Sequence, residues 1–427
     1  MKLVRFLCGL LPVAVISGTA HAISLQDAVN QTLDSHPEIL AARHELASRK
    51  AEVELAKAGY LPRLDLTAGV GQETVRSPGT LDESVKLNRQ EFGLQARQMV
   101  FDGFATSEEV NRQRARVDSA AYVALASTDA ITLRTAEVYL NVLRQADLLK
   151  LAKESLKEHQ NIYDQMVLRN RSGVGSKADL DQISARLALA NANLVVAENN
   201  MLDARTNFYR VVGMLPDVAA MSMPDQVVEL PANMEAAIGM ATDRHPTLLA
   251  AVADVNAAQA QYDASESNYW PQLQLEADKN IDNNIGGIEG RDEDLIVALR
   301  LRYNLYNGGA DKARRKQTAY QLEEAREIRN NSHRQVVESM RLSWSNYEAI
   351  SNQLRYLQEH VRAAGSTKKA YQQQFNIGRR TLLDLLNTEN ELIDAKRSLI
   401  AANYDRLFAQ YRILNGMGDL AAYLSSK

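Results

Sequence analysis

Hydrophobic positions in this chain follow two periods, and the change from one to the other happens twice. Residues 24–59 are rich in Ala, Glu, Lys and Leu, with Ser24 placed to cap the start and Gly59 and Pro62 to close the end, which predicts a helix. From 62 to 103 the period falls to two. Leu64, Leu66, Ala68 and Val70 alternate with Asp65, Thr67, Gly69 and Gly71, then Phe92, Leu94, Ala96 and Val100 share a face opposite Glu91, Gly93, Gln95 and Arg97. Such alternation predicts a β-hairpin. No Gly or Pro interrupts the 66 residues from Ala105 to Asn170, where Val110, Val117, Ala124, Ile131 and Val138 recur at intervals of seven. A helix of that length is roughly 100 Å long at 1.5 Å per residue, too long for one globular core. A shorter helix follows over 177–212.

The succession then repeats. His36-Pro37 and Tyr60-Leu61-Pro62 return 209 residues later as His245-Pro246 and Tyr269-Trp270-Pro271. Phe101-Asp102-Gly103 returns at 205 as Tyr306-Asn307-Gly308, and Gly175, Asp181 and Gly213 pair with Gly378, Asp384 and Gly416 at 203. Order is kept throughout, so the chain reads as a duplication. The first repeat covers 23–215 with its hairpin at 62–103. A linker at 216–232 carries Pro216, Pro224 and Pro231, the second repeat covers 233–420 with its hairpin at 271–308, and a short tail fills 421–427. In the second hairpin Leu273, Leu275 and Ala277 oppose Gln274, Glu276 and Asp278, while Leu295, Val297, Leu299, Leu301, Tyr303 and Leu305 oppose Arg300, Arg302 and Asn304. Its long helix carries a heptad seam of Tyr347, Ile350, Leu354, Leu357, Val361 and Ala364. Helices at 24–59 and 177–212, stacked end to end, match the long helix beside them, so each repeat supplies two columns.

Composition narrows the class. With 9 Pro and 21 Gly in 427 residues, and no Pro between Pro78 and Pro216 or after Pro271, the fold is mainly α. A net charge of −4 offers no basic surface for nucleic acid. The single cysteine, Cys8, excludes a disulfide framework and a Cys-ligated metal. Residues 1–22 read as a secretory signal peptide, with Lys2 and Arg5 before an apolar stretch and Ala20-His21-Ala22 at the cleavage site. Cys8 stands too early to carry a lipid anchor. No later run of 18 apolar residues occurs, so a membrane crossing requires a closed β-barrel.

Strands of about ten residues, apolar on one face and polar on the other, fit a barrel with lipid outside and water inside. A soluble hairpin packed on helices would show the same alternation. Four strands cannot close a barrel, since about eight is the minimum, so the free edges must be paired by copies of the same chain. Two copies would give a lumen filled by side chains; three give twelve strands and a channel. Three copies also bring twelve helical columns, enclosing a ring roughly 34 Å across at ~9 Å spacing.

The signal peptide, the Tyr/Trp-Pro step before each hairpin, the Phe-Asp-Gly and Tyr-Asn-Gly steps after it and the paired Gly tips together resemble the TolC family of outer-membrane exit ducts. The most telling stretches are Phe101-Asp102-Gly103-Phe104 and Phe375-Asn376-Ile377-Gly378-Arg379-Arg380-Thr381. The resemblance covers about 23–420. It implies a homotrimer in the outer membrane of a Gram-negative bacterium, a 12-stranded transmembrane β-barrel on a coiled-coil α-helical barrel that extends into the periplasm. It implies three partners: a periplasmic adaptor (membrane fusion protein), an inner-membrane ABC transporter or efflux pump, and outer-membrane lipid. The expected function is an exit duct with porin activity in a tripartite type I secretion or efflux system, with no catalytic residue, cofactor or metal.

By the same resemblance, Gly173-Val174-Gly175-Ser176 and Asn376-Ile377-Gly378-Arg379 are the adaptor-docking tips, and Asp384 forms an acidic ring at the entrance gate. The family's second acidic position is Asn387 here, which weakens the ring. Arg380 and Asp181 match a link that holds the entrance closed; the aromatic hydroxyl of that latch is replaced by Phe375, which cannot make the hydrogen bond. An ordinary i, i+4 pair between Arg380 and Asp384 on a solvated helix is the alternative.

The seven histidines form no metal-ligand pattern, and His36 and His245 read as structural. Arg112, Arg114, Arg116 and Arg314, Arg315, Lys316 read as solvated helix faces below the strands. No G-x-S-x-G, P-loop or dinucleotide fingerprint occurs. The competing reading is a soluble periplasmic coiled-coil adaptor or structural protein. Such an adaptor carries compact β-rich domains around one hairpin, whereas this chain has two equivalent hairpins, each after an amphipathic strand pair.

Overall fold

The structure is a computed structural model that describes residues 24–224 and 229–425. The signal-peptide reading of 1–22 lies outside the described residues. Each repeat runs through two helices, two strands, a long helix and a shorter one. The first comprises α1 (Leu25–Ser35), α2 (Pro37–Lys57), β1 (Arg63–Val75), β2 (Val85–Phe101), α3 (Ala105–Arg171) and α4 (Lys177–Val212). The second comprises α5 (Met234–Arg244), α6 (Pro246–Ala264), β3 (Gln272–Asn283), β4 (Arg291–Arg302), α7 (Ala310–Asn376) and α8 (Leu382–Met417), followed by α9 (Leu420–Ser425). Both long helices have 67 residues and both shorter partners have 36.

The single helix expected over 24–59 is two. His36 ends α1, where its N–H donates to the Thr32 carbonyl, and begins α2, where its Nδ1 accepts from the Glu38 N–H at 3.3 Å. Pro37 fixes the break, because a residue before proline is driven out of the α region while proline itself suits the first helical turn. His245 and Pro246 repeat the device between α5 and α6, with Nδ1 3.2 Å from the Thr247 N–H. Burial lowers the His245 pKa and so favours the neutral imidazole that can accept this bond. The structural reading of both histidines holds.

Helix termini correct the alignment of the repeats. From Ala105 and Ala310 onward the offset is a constant 205. The left-handed residues that stop the helices are Gly173 and Gly378, each at φ 75°, and Gly213 and Gly418, at φ 85° and 78°. Gly416 lies inside α8, so Gly213 pairs with Gly418. Asp384 pairs with Asp179, not Asp181, each being the third residue after its N-cap. The chain offers two glycines and two aspartates at the first tip, and only backbone conformation tells which are equivalent.

The strands form one antiparallel sheet in the order β1-β2-β3-β4, so β2 and β3 join the repeats while β1 and β4 lie at its margins. A bulge between Met99 and Phe101 takes Val100 off the face it was expected to share with Phe92, Leu94 and Ala96. β4 stops at Arg302, which places Tyr303 and Leu305 below the sheet rather than on it.

With the strands set at the top, α3 packs against α2 and α6 above and α4 below, and α7 against α6 and α8. One core lies at mid-height, where α1, α3, α4, α5, α7, α8 and α9 meet around Tyr139, Phe208, Met340, Leu407 and Tyr411. A second, smaller one at the bottom gathers Ile162, Met166, Ile183, Phe375, Leu382, Leu385 and Leu386. Elsewhere the helices leave apolar side chains bare: Val195 and Leu202 of α4, and Ile328 and Leu342 of α7, are all more than half exposed. Among the described residues no helix is long and apolar enough to cross a membrane.

Candidate functional site

The register places Leu64, Leu66 and Val70 of β1 on one face with Phe92 and Leu94 of β2, Leu275 of β3, and Leu295, Val297, Leu299 and Leu301 of β4. Their exposures run from 41% to 87%, so nothing within the chain covers them. A bare apolar face of this size is stable only against lipid or a partner. Just below it Tyr60, Tyr269, Trp270, Tyr303 and Tyr306 are also exposed, an aromatic girdle where a barrel would leave the bilayer.

The opposite face is largely polar and carries both charges throughout. Glu91, Asp282 and Asp292 stand side by side in one row near the strand turns, with Asp294 in the next row and Arg89 paired to Glu73 and Glu91, while toward the helices Arg63, Arg97, Arg300 and Arg302 alternate with Asp65, Glu276 and Asp278. Arg300 is paired with Glu276 at 2.8 Å. The turn between β3 and β4 is fastened to β1 on this face: the Gly287 N–H donates to Glu73 Oε1 at 3.0 Å.

The junction from sheet to helix explains the Phe101-Asp102-Gly103-Phe104 stretch. Asp102 accepts from the Thr106 N–H at 2.8 Å and from its hydroxyl at 2.5 Å, capping α3. Gly103 turns the chain at φ 68°, and a Cβ there would meet the Ser267 carbonyl oxygen at 2.6 Å and Trp270 Cβ at 2.8 Å. Phe101 and Phe104 close the corner edge to face, 5.4 Å between centroids.

At the bottom, α3 and α4 are joined through Ser172–Gly175. Gly175 packs tightly on Arg169, whose carbonyl accepts from the N–H groups of Val174 and Gly175 at 3.0 Å each. Ser176 caps α4, accepting from the Asp179 N–H at 3.0 Å. In the second tip Thr381 and Asp384 form a reciprocal capping box at the start of α8. Asp384 is thus first a helix cap, only part of its carboxylate facing solvent, and Asn387 is exposed one turn on. Val174, Ile377 and Leu168 are 82%, 66% and 65% exposed, so the tips carry unpartnered apolar side chains beside the charges.

The expected latch residues are not brought together within the chain. Arg380 ion-pairs with Asp384 at 3.8 Å, donates to Gln374 Oε1 at 3.1 Å and stacks on Tyr371 at 4.3 Å, while Asp181 is exposed on α4. Phe375 is buried in the lower core with the Arg169 guanidinium 4.5 Å above its ring. Sequence reasoning missed Arg169 and the group around Lys368, whose Nζ is 2.9 Å from Glu389 and 3.3 Å from Glu158. Burial alone would lower the Lys368 pKa; the hydrogen bonds and charges of Glu389 and Glu158 outweigh it and hold the ammonium above its ordinary value. The signal was in the heptad, which continues past Ala364 through 368 to Tyr371 and Phe375 with a lysine at a seam position.

The family model described as outer membrane efflux protein matches residues 28–214 and 237–419, the two repeats almost end to end. The chain belongs to that family. It is 26% identical to the outer membrane protein TolC of Escherichia coli (strain K12) over 98% of this chain and 87% of that one. Identity to the outer membrane efflux protein BepC of Brucella suis is 27%, covering 97% and 89%. Among solved structures it is similar to the outer membrane protein VceC of Vibrio cholerae, with a TM-score of 0.79 and 17% identity over 92% of this chain and 96% of that one, a likeness of fold. As a member of the family the chain is an outer-membrane exit duct reaching into the periplasm, and the reading as a periplasmic adaptor is set aside.

Proposed function

We propose that three copies of this chain close β1 of one onto β4 of the next, completing a twelve-stranded barrel above a ring of twelve helical columns. The duct would serve a type I secretion or efflux system, receiving substrates from an inner-membrane ABC transporter or pump through a periplasmic adaptor. The observation that carries the reading is the sheet itself, with two unpaired margins and one face bare of cover. Val174 and Ile377, exposed on the tips among Gly173, Gly175, Ser176, Asn376, Gly378 and Arg379, support docking of the adaptor there. Asp384, repeated three times about an axis, would draw cations to the entrance gate.

Two measurements test this. Fractionation followed by mass determination in detergent should give a membrane-embedded trimer; recovery as a soluble monomer refutes the duct. In planar bilayers, replacing Arg380 and Asp384 by alanine should change single-channel conductance and weaken block by multivalent cations. Unchanged conductance and block would remove both residues from the gate.

A further inference from the structure

Lysine at a heptad seam needs a reason. On α7 the seam positions around 368 are Val361, Ala364, Tyr371 and Phe375, and a polar residue among them trades stability for a fixed register. Lys368 is held by carboxylates on two different hairpins: Glu389 belongs to α8, its own partner helix, and Glu158 to α3 of the other hairpin. The Glu389 side chain is 5% exposed and that of Lys368 21%. Neither charge can be stranded without a large desolvation cost, so Lys368 is held at Glu389 inside its own hairpin, and from there its contact with Glu158 ties that hairpin to α3. Two turns toward the tip Arg169 of α3 covers Phe375 of α7, a second contact across the same seam. Arg380 pairs only within its own hairpin and so does not tie it to α3.

We propose that Lys368 is the positioning residue of the entrance, fixing the α7–α8 hairpin against α3 so that the tips keep their arrangement until a partner parts them. This rests on the reading of the chain as a trimeric duct. Opening the entrance by moving one hairpin past the other separates Lys368 from Glu158 and leaves Glu389 beside it, so this contact adds to the cost of opening while the Arg380 pair, inside one hairpin, does not.

The test uses the full-length trimer in planar bilayers. Lys368→Met, which strands Glu389, should raise the frequency of the high-conductance state on the order of tenfold. The double variant Lys368→Met/Glu389→Leu, which strands no buried charge but also lacks the tie to Glu158, should still open more often than the wild type; a return to wild-type opening would overturn the proposal. Glu158→Gln, at a 42% exposed side chain, leaves the fold intact and should shift opening in the same direction by less. Trimers of normal thermal stability whose opening is unchanged in Lys368→Met, or unchanged in Glu158→Gln where Lys368→Met does not assemble, overturn the proposal. Absence of trimers or conductance in the wild type would refute the duct instead.

Discussion

Asp129 shows how one buried carboxylate tunes this molecule. It lies on α3, 6% exposed, and accepts from the Ala421 N–H at 2.9 Å, which fastens α9 to the mid-height core. Burial, with the nearby Asp419 charge adding to it and the Ala421 bond opposing, pushes its pKa up to about 6. Because the folded value lies above the unfolded one, its stabilising contribution is complete below about pH 4 and is lost as pH rises through about 6. Asp129→Asn keeps the acceptor and removes the charge. It should raise stability at pH 7 by up to about 3 kcal/mol and flatten the slope between pH 4 and 6. Melting curves across that range check this; parallel slopes for both proteins would refute it. Little of this was legible in sequence, where Asp129 is one acid among many on a long helix. Phe375 was legible by type, since a missing hydroxyl can be read directly, but not its cover by Arg169, which comes from another hairpin 206 positions away.

The steps between elements carry much of the architecture, and they separate positions that look alike in the two repeats. Gly103 and Gly308 are counterparts, both at positive φ, yet only Gly103 is walled in, a Cβ there meeting Ser267 and Trp270 while nothing lies within 4 Å at Gly308. Gly308→Ala should cost only the left-handed strain, about 1–2 kcal/mol. Gly103→Ala adds a backbone clash and should sharply lower the yield of membrane-inserted protein. Comparing both variants by membrane yield and melting temperature tests the distinction, and equal losses would contradict it. Sequence made the long helices and amphipathic strands plain because each rests on a period sustained over many residues. It hid the helix break at His36 and the bulge beside Val100, since each depends on one residue's backbone and leaves the surrounding pattern almost untouched.

At the scale of the whole molecule, the count of strands was the informative quantity: four amphipathic strands with two open margins ask for more copies, whatever the details of packing. Lipid should then be the solvent of the Leu299 face. Leu299→Arg should destabilise the barrel by about 2–4 kcal/mol near the bilayer midplane, whereas Gln274→Arg, one strand over on the polar face, should insert normally. Heat-modifiability of the trimer on gels reports both, and equal behaviour of the two variants would argue against a bilayer on that side. The constant spacing of 205 between the lower halves of the repeats has a consequence of its own. A threefold assembly of such a chain would present six helical hairpins of matching length at its lower rim. Seats of two kinds would alternate around it, differing mainly in side chains such as Val174 against Arg379. A partner tolerant of that difference could bind six times, and one that discriminates only three.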